Sequence, residues 1–523
     1  MSLDAPRGHV ALTLNGKAVS LPASDTARLS EVLRESAGAR DVKVGCNAGD
    51  CGACTVLVDD APVCACMVAA GQAQGTRIET QAGLVAGDPH AARLAQSFQR
   101  HQAAQCGICT PGMMVAAVAL LRSGAPLTEA AVEDALGGVL CRCTGYRKII
   151  AAVLDASGAA PLAAGGVGAP IARLDGGPKV SGLERFGDDV APEGALVVRA
   201  IRSPFHRAAF RFGDLAAYRV DTGLDLILTA ADVPGENRFG VIPGFEDQPM
   251  LAEHETRFRG EAVAAVVGRA DIIDALPDFP ITWQELPSVT VPEGAADAAL
   301  LHPDRADNVM CRGYVARGDA DAAMAGAPHV VSGDCSTGFI EHGYIEPEAA
   351  SARRVGERLE IRCCTQAPFM NRDGIAGLMG LAPEQVRILP TAVGGGFGSK
   401  LDLTAQPFVA LAAWLTGKPV RMAFTRTESL QSSTKRHPSQ VHMEIGADDD
   451  GIIQAVRFDG VFNTGAYASW GPTVANRVPI HASGPYRTPN YTANSTGVHT
   501  NTAPAGAFRG FGVPQAAILQ ETL

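Results

Sequence analysis

The chain has 523 residues, is 46% hydrophobic and carries a formal net charge of −11. That length sets a prior of three or four domains, each able to bury its own core. The acidic balance argues against nucleic acid and anionic membrane as partners, and no apolar run reaches the ~18 residues of a membrane span. The opening MSLDAPRGHVALTLNG lacks a secretory pattern, so a cytoplasmic protein is expected.

In chain order, the run HVALTLNGKAVSLPA alternates about Asn15-Gly16 and predicts a β-hairpin. LSEVLRES predicts a short amphipathic helix. CTVLVDDAPVCACMV predicts two strands around a turn at Asp59-Asp60, which completes a small β-rich domain over 1–85. From 86 the spacing becomes helical: HAARLAQSFQRHQAA, then GMMVAAVALLRSG after a cap and proline at Thr110-Pro111, then LTEAAVEDALGGV and GYRKIIAAVLDAS. These four segments predict a helical bundle over 86–157.

The stretch 158–179 is rich in Gly, Ala and Pro and reads as a linker. Over 180–310, the strand-like runs ALVVRAIRSP, LDLILTA, AVAAVVGR and PITWQEL mix with short helices, as in an α+β domain. Over 311–523 further strands are expected in RLEIRCCTQ, QVRILPTAV, VRMAFTR and QAVRFDGVFNTGAY, with a helix at AQPFVALAAWLTG. The expected fold class is multidomain α+β, without internal repeats.

Cysteine placement carries the strongest functional signal. Of thirteen cysteines, nine precede residue 144, while Cys311, Cys335, Cys363 and Cys364 read as buried. A long chain without an export signal is a poor disulfide scaffold, so the clustering argues for metal. Cys46, Cys51 and Cys54 have the spacing C-x4-C-x2-C with a further Cys downstream, the plant-type spacing of a [2Fe–2S] cluster. Gly45, Gly49 and Gly52 allow backbone to curl close around sulfur. Zinc sites more often present two close pairs, so the longer gap favours the two-iron cluster.

The fourth ligand is Cys64 or Cys66. Residues two apart on a strand point the same way, so spacing does not separate them. A second quartet is Cys106, Cys109, Cys141 and Cys143. Each pair is expected at a helix N-terminus, where free N–H groups and the dipole stabilise thiolates. Buried structural thiols are the competing reading. Two such clusters on adjacent domains would form a wire for single electrons.

Two later motifs are weaker alone. VGGGFGSK offers a tight turn of backbone N–H groups to an anion, but it fits neither the phosphate-loop nor the G-x-G-x-x-G pattern. Arg509, between the aromatics of GAFRGFG, reads by itself as a packed side chain.

The segments VGCNAGDCGACTVLVD…CACM, QCGICTPGMM and LCRCTGYRK resemble the iron–sulfur part of the xanthine oxidase and aldehyde oxidoreductase family, the molybdenum hydroxylases. KVSGLERFGDD and RGEAVAAVVG…ITWQELPSV are similar to its hammerhead-like α+β domain. IEHGYIEPEAA, TQAPF, VGGGFGSK, TKRHPS, NTGAY and TNTAPAGAFRGFGVPQ resemble its molybdopterin-binding domain, so the likeness covers nearly the whole chain.

The resemblance implies a plant-type ferredoxin β-grasp, a four-helix [2Fe–2S] bundle, a hammerhead domain and part of a molybdopterin-binding domain. It implies Cys66, not Cys64, as the fourth ligand of the first cluster, and all four cysteines of the second quartet as ligands. It implies Gln105 and Cys143 against the pterin, and Gly395, Gly396, Phe397, Gly398 and Arg509 about the molybdenum cofactor. Ile340, Leu401, Arg436 and Phe511 fall at substrate positions, Phe511 stacking on a flat molecule. Ile340 and Leu401 stand where xanthine-oxidising relatives have Gln and Glu. A buried acid that binds a purine cannot become Leu without losing that recognition. An N-heteroaromatic or an aldehyde is therefore the expected substrate, oxidised at C–H with water as oxygen source.

The implied cofactors are two [2Fe–2S] clusters and molybdenum–molybdopterin, the cytosine dinucleotide form being one candidate. The family's general-base Glu has no counterpart up to Leu523, so no catalytic residue is assigned. A second molybdenum-subunit chain carrying the remainder is the expected partner, and a truncated hydroxylase would look the same. No flavin segment precedes the hammerhead, so electrons are expected to leave to a flavin subunit, a cytochrome or a soluble carrier. A non-catalytic electron-transfer or assembly subunit is the alternative reading.

Overall fold

The computed structural model describes residues 8–156, 165–169 and 171–523, so the expected linker over 158–179 lies partly outside the described residues. The molecule is a multidomain α+β structure of two compact units. The first contains Met1–Val190 together with two later segments, Gly343–Pro347 and Thr391–Gly395; the second contains Ala191–His342, Glu348–Pro390 and Gly396–Leu523.

In the first unit β1 (His9–Leu14), β2 (Lys17–Pro22), β3 (Thr55–Val58), β4 (Ala61–Cys64) and β5 (Arg77–Glu79) form one sheet in the order β2-β1-β5-β3-β4. Both expected hairpins are present. Their turns hold Asn15 and Gly16 at φ 49° and 78°, and Asp59 and Asp60 at 47° and 72°. Left-handed backbone at both central residues is what a two-residue turn between twisted strands requires. The core of this sheet is Val10, Leu12, Val56 and Ile78, packed with Leu29 and Leu33 of the expected amphipathic segment. That segment is one helical turn, Leu29–Glu31, running on as a wider π-turn over Val32–Ser36.

Helices follow at Gln81–Gly87, Pro89–Arg100, Thr110–Ser123, Glu129–Leu136 and Arg147–Leu154. The last four are those expected. Asp88 and Thr128 accept from backbone N–H groups in the first turns of their helices. At Thr110–Ser123 the cap is Cys109, one residue earlier than the sequence indicated. Leu94, Phe98, Met113, Val118, Val132, Leu136, Ile149 and Val153 share one core. The end of the stretch read as a linker is a short helix, Gly176–Val180, which buries Lys179.

The second unit adds β6 (Leu196–Arg202), β7 (Ala208–Phe212), β8 (Leu226–Leu228), β9 (Glu255–Thr256), β10 (Ala262–Gly268), β11 (Ile281–Glu285), β12 (Val309–Arg317) and β13 (His329–Thr337). It continues with β14 (Ala349–Val355), β15 (Arg358–Cys363), β16 (Val386–Pro390), β17 (Val420–Ala423), β18 (Ser439–Ala447), β19 (Ile453–Gly465) and β20 (Asn490–His499). Seven strands run in the order β16-β15-β14-β17-β6-β10-β8, three as β11-β7-β9 and five as β12-β20-β19-β18-β13. The seven-stranded sheet thus joins strands from both sides of residue 310. Its strand β10 is buried at every position, which explains a continuous apolar run in place of alternation. The helix Gln406–Thr416 packs on this sheet and is buried from Gln406 to Ala413. Among the described residues, no helix is long and apolar enough to cross a membrane.

Candidate cofactor sites

Five thiols gather where the loop 46–54 meets the end of β4. The N–H groups of Ala48 and Cys51 both donate to Cys46 Sγ at 3.3 Å, and the Cys66 N–H lies 3.5 Å from Cys54 Sγ. Left-handed backbone at Asn47, Gly49 and Gly52 bends the loop. β4 ends at Cys64, and Cys66 sits in the short 3₁₀ turn Ala65–Met67. Both thiols nevertheless reach Cys54. Contact with Cys54 pulls Cys64 down to about 7 and Cys66 down to about 6, while Cys54 is pushed up by the same two neighbours. Burial raises Cys51 to about 11. Three thiols in mutual contact are a donor set that suits a soft cation.

The second quartet is drawn together in the same unit. Cys143 contact lowers Cys106, and Cys109 contact brings Cys141 down to about 2, while Cys109 and Cys143 are held up by those same partners. Cys109 stands at a helix N-terminus as expected, but Cys141 and Cys143 do not open a helix. They sit in a loop before Arg147–Leu154, whose cap is Tyr146 at φ 66°. A side-chain framework replaces the helix dipole there: the Cys141 N–H donates to Tyr146 Oη at 3.0 Å, and Thr144 Oγ1 lies 3.2 Å from Cys141 Sγ. The Lys179 ammonium donates to the Gln105 carbonyl at 3.0 Å. Gln105 itself is exposed.

The two cysteine loops are stitched to each other. The Leu140 N–H donates to the Cys51 carbonyl at 2.9 Å. A Cβ on Gly52, at φ 66°, would stand 2.1 Å from the Gly138 carbonyl oxygen, and one on Gly112 would stand 2.3 Å from Gly52 O. Only glycine permits backbone this close.

In the second unit the expected cofactor and substrate positions converge. The Arg509 N–H donates to Phe397 O at 2.8 Å, the Arg436 N–H to Ile340 O at 3.1 Å, and Arg436 Nη2 to Arg509 O at 2.6 Å. A Cβ on Gly396 would meet Gln366 Oε1 at 2.3 Å, and one on Gly398, at φ 113°, would meet Ala507 O at 2.4 Å. Phe397 and Phe511 both adopt left-handed backbone, at φ 54° and 52°, a strain that accumulates at functional sites. Buried Arg436 lies over the Phe508 ring at 3.9 Å, and Phe508 stacks on His342 at 4.2 Å. Phe511 is half-buried, braced edge-on by Trp470 at 5.8 Å with Arg477 over its ring at 4.9 Å. Arg509 and Ile340 are exposed, and the Leu401 carbonyl accepts from Asn371. Gly395 belongs to the first unit.

Sequence reading missed one cluster, Asp247, His302 and His499, whose potential ligand atoms lie within 4.8 Å of one another. Their spacings in the chain, 55 and 197 residues apart, gave no local signal. Arg305 fills this cluster: its Nη1 lies 2.5 Å from Asp247 and 2.6 Å from His499 Nε2. The imidazoles also contact backbone carbonyls, His302 at Ala466 and His499 at Gly465, and Asp247 accepts from the Ala468 N–H at 3.0 Å. Burial holds both imidazoles below their ordinary range. A cation is already in place, so this is a structural network.

Comparison with known proteins bears on the domains that carry these residues. The chain matches models of a 2Fe-2S iron-sulfur cluster binding domain over residues 12–82, a [2Fe-2S] binding domain over 80–154 and a molybdopterin cofactor-binding domain over 301–523. It is 37% identical to the nicotinate dehydrogenase large molybdopterin subunit of Eubacterium barkeri over 67% of this chain and 82% of that one. It is 30% identical to the aldehyde oxidoreductase of Megalodesulfovibrio gigas, over 98% of this chain and 60% of that protein. The solved structure of aldehyde oxidoreductase from Desulfovibrio gigas superposes with a TM-score of 0.91 at 29% identity, again over 98% and 60%. The chain belongs to the xanthine dehydrogenase and aldehyde oxidoreductase family of molybdenum hydroxylases, and its domains are of the kinds that bind 2Fe-2S clusters and the molybdopterin cofactor. It spans 60% of the aldehyde oxidoreductase's length.

Proposed function

We propose that this chain is the iron–sulfur and molybdenum-cofactor-binding component of a hydroxylase acting on a C–H bond of an N-heteroaromatic or an aldehyde. The observation that carries this reading is the packing of two thiol sets against each other through Gly52, Gly112 and Leu140, in a chain that also gathers Phe397, Arg436 and Arg509. Cys46, Cys51, Cys54 and Cys66 hold the first cluster, and Cys106, Cys109, Cys141 and Cys143 the second. Gln105 and Cys143 contact the pterin, with Gly395, Gly396, Phe397, Gly398 and Arg509 about the rest of the cofactor. When bound, molybdenum takes two electrons from the substrate and the clusters relay them singly. Arg436, Ile340 and Leu401 shape the pocket and Phe511 presents a face to a flat ring. Leu401 and Ile340 favour an apolar or singly polar ring over xanthine.

We assign 1–85 to a ferredoxin-like β-grasp, 86–157 to a helical cluster domain, 158–179 to a linker, 180–310 to a hammerhead domain and 311–523 to part of a molybdopterin-binding domain. The general base comes from a partner chain that completes the cofactor pocket, and electrons pass on to a flavin subunit, a cytochrome or a soluble carrier. The likeness to a relative named as a large molybdopterin subunit, 82% of which this chain covers, supports the partner.

The test is to isolate the chain natively with whatever binds it, identify partners by mass spectrometry, and assay nicotinate, quinoline-type rings and aldehydes with an artificial electron acceptor in H₂¹⁸O. Product carrying ¹⁸O is expected. Turnover with oxygen drawn from O₂, or none with any substrate in a molybdenum-loaded complex, contradicts the reading.

A further inference from the structure

The segment Gly343–Pro347 enters the first unit from far along the chain. It touches both cysteine loops. A Cβ on Gly45 would meet Ile345 Cγ2 at 2.8 Å and Cys51 Sγ at 2.9 Å, while one on Gly343 would meet Arg142, between Cys141 and Cys143, at 3.4 Å. Glu346 lies within this segment and is 4% exposed. Its Oε1 accepts from the Gly187 N–H at 2.9 Å and its Oε2 from the Gly394 N–H at 2.5 Å. A Cβ on Gly394 would meet both Glu346 Oε2, at 3.1 Å, and Ile108 Cβ, at 3.0 Å. Gly394 therefore sits between the carboxylate and the loop Cys106–Cys109, close to both.

We propose that Glu346 tunes the second [2Fe–2S] cluster, its buried charge lowering that cluster's reduction potential while its two oxygens brace Gly187 and Gly394. The inference rests on reading Cys106, Cys109, Cys141 and Cys143 as the cluster's ligands. Reduction adds one electron to a centre already held by four thiolates, and a fixed negative charge in a low-dielectric neighbourhood opposes it. Two backbone donors satisfy the carboxylate where it lies, so its charge is anchored near the cluster.

The experiment is an EPR-monitored redox titration of the full chain, with any co-purifying partner, as wild type, Glu346→Gln and Glu346→Asp. In Glu346→Gln the second cluster's reduced-to-oxidised ratio at fixed potential should rise about tenfold, which is about 59 mV for a one-electron couple. The first cluster should move much less, and Glu346→Asp should stay near wild type. An unmoved second cluster, or equal shifts in both clusters, overturns the proposal. If Glu346→Gln loses its iron, Glu346→Asp decides: a potential near wild type upholds the proposal and a raised one overturns it. Wild-type protein without two EPR-distinct clusters would instead defeat the cluster reading on which the inference rests.

Discussion

Cys64 and Cys66 both press on Cys54 and both are lowered by it, to about 7 and about 6. Geometry alone therefore leaves two sulfurs for one coordination position, and substitution separates them. Cys66→Ser is expected to lose the first cluster's EPR signal and about half the iron, and Cys64→Ser to keep both. The reverse pattern would move the assignment to Cys64. Asp402 offers a test of another kind. Fully buried, with Ser469 donating to it at 2.5 Å, its carboxyl is pushed up to about 6 by burial. A folded-state value above the unfolded one means that ionisation weakens the fold. The penalty is absent below pH 3.8, grows as pH rises towards 6 and is complete above. It amounts to about 3 kcal/mol. Asp402→Asn keeps an acceptor for Ser469, so it should be more stable than wild type at pH 7 by up to about 3 kcal/mol and converge with it near pH 4. Denaturant titrations at the two pH values check this, and a difference that does not change with pH contradicts it.

Among elements, the contact between the two cysteine loops is the most exacting. Gly52 combines left-handed backbone with a Cβ position 2.1 Å from a carbonyl oxygen. Gly52→Ala should therefore force apart the loops 51–54 and 138–141 and reduce iron at both clusters, by well over half, rather than at one. Iron lost from only the first cluster would show that the loops move independently. The same elements show what the sequence made legible. Spacing marked two groups of cysteines but left Cys64 and Cys66 as alternatives, and turn chemistry at Asn15-Gly16 and Asp59-Asp60 identified both hairpins, because these signals are local. For the loop carrying Cys141 and Cys143 the sequence suggests a helix start, because GYRKII begins a helix so soon afterwards. Its cap is a left-handed Tyr146, which no residue pattern announces. Lys179 lay hidden in a Gly-rich stretch whose composition resembles a linker, although its ammonium holds the Gln105 carbonyl. Glu346 could not be read at all, since Gly187 and Gly394 join it from 159 and 48 residues away.

For the whole molecule, two compact units carry different chemistry. One gathers nine clustered thiols, eight of them proposed as cluster ligands, and the other a set of strained aromatics, glycines and arginines. The chain matches aldehyde oxidoreductase over nearly its own full length, yet spans 60% of that relative. A half-pocket completed by another chain and an iron–sulfur subunit without chemistry of its own differ in metal content. The most direct measurement is therefore metal analysis with EPR on the natively isolated protein and its bound partners. The account requires about four irons per chain, molybdenum near one, and two distinct [2Fe–2S] signals on reduction. Zinc in the cysteine sites would contradict the cluster reading, and full iron without molybdenum would contradict the hydroxylase.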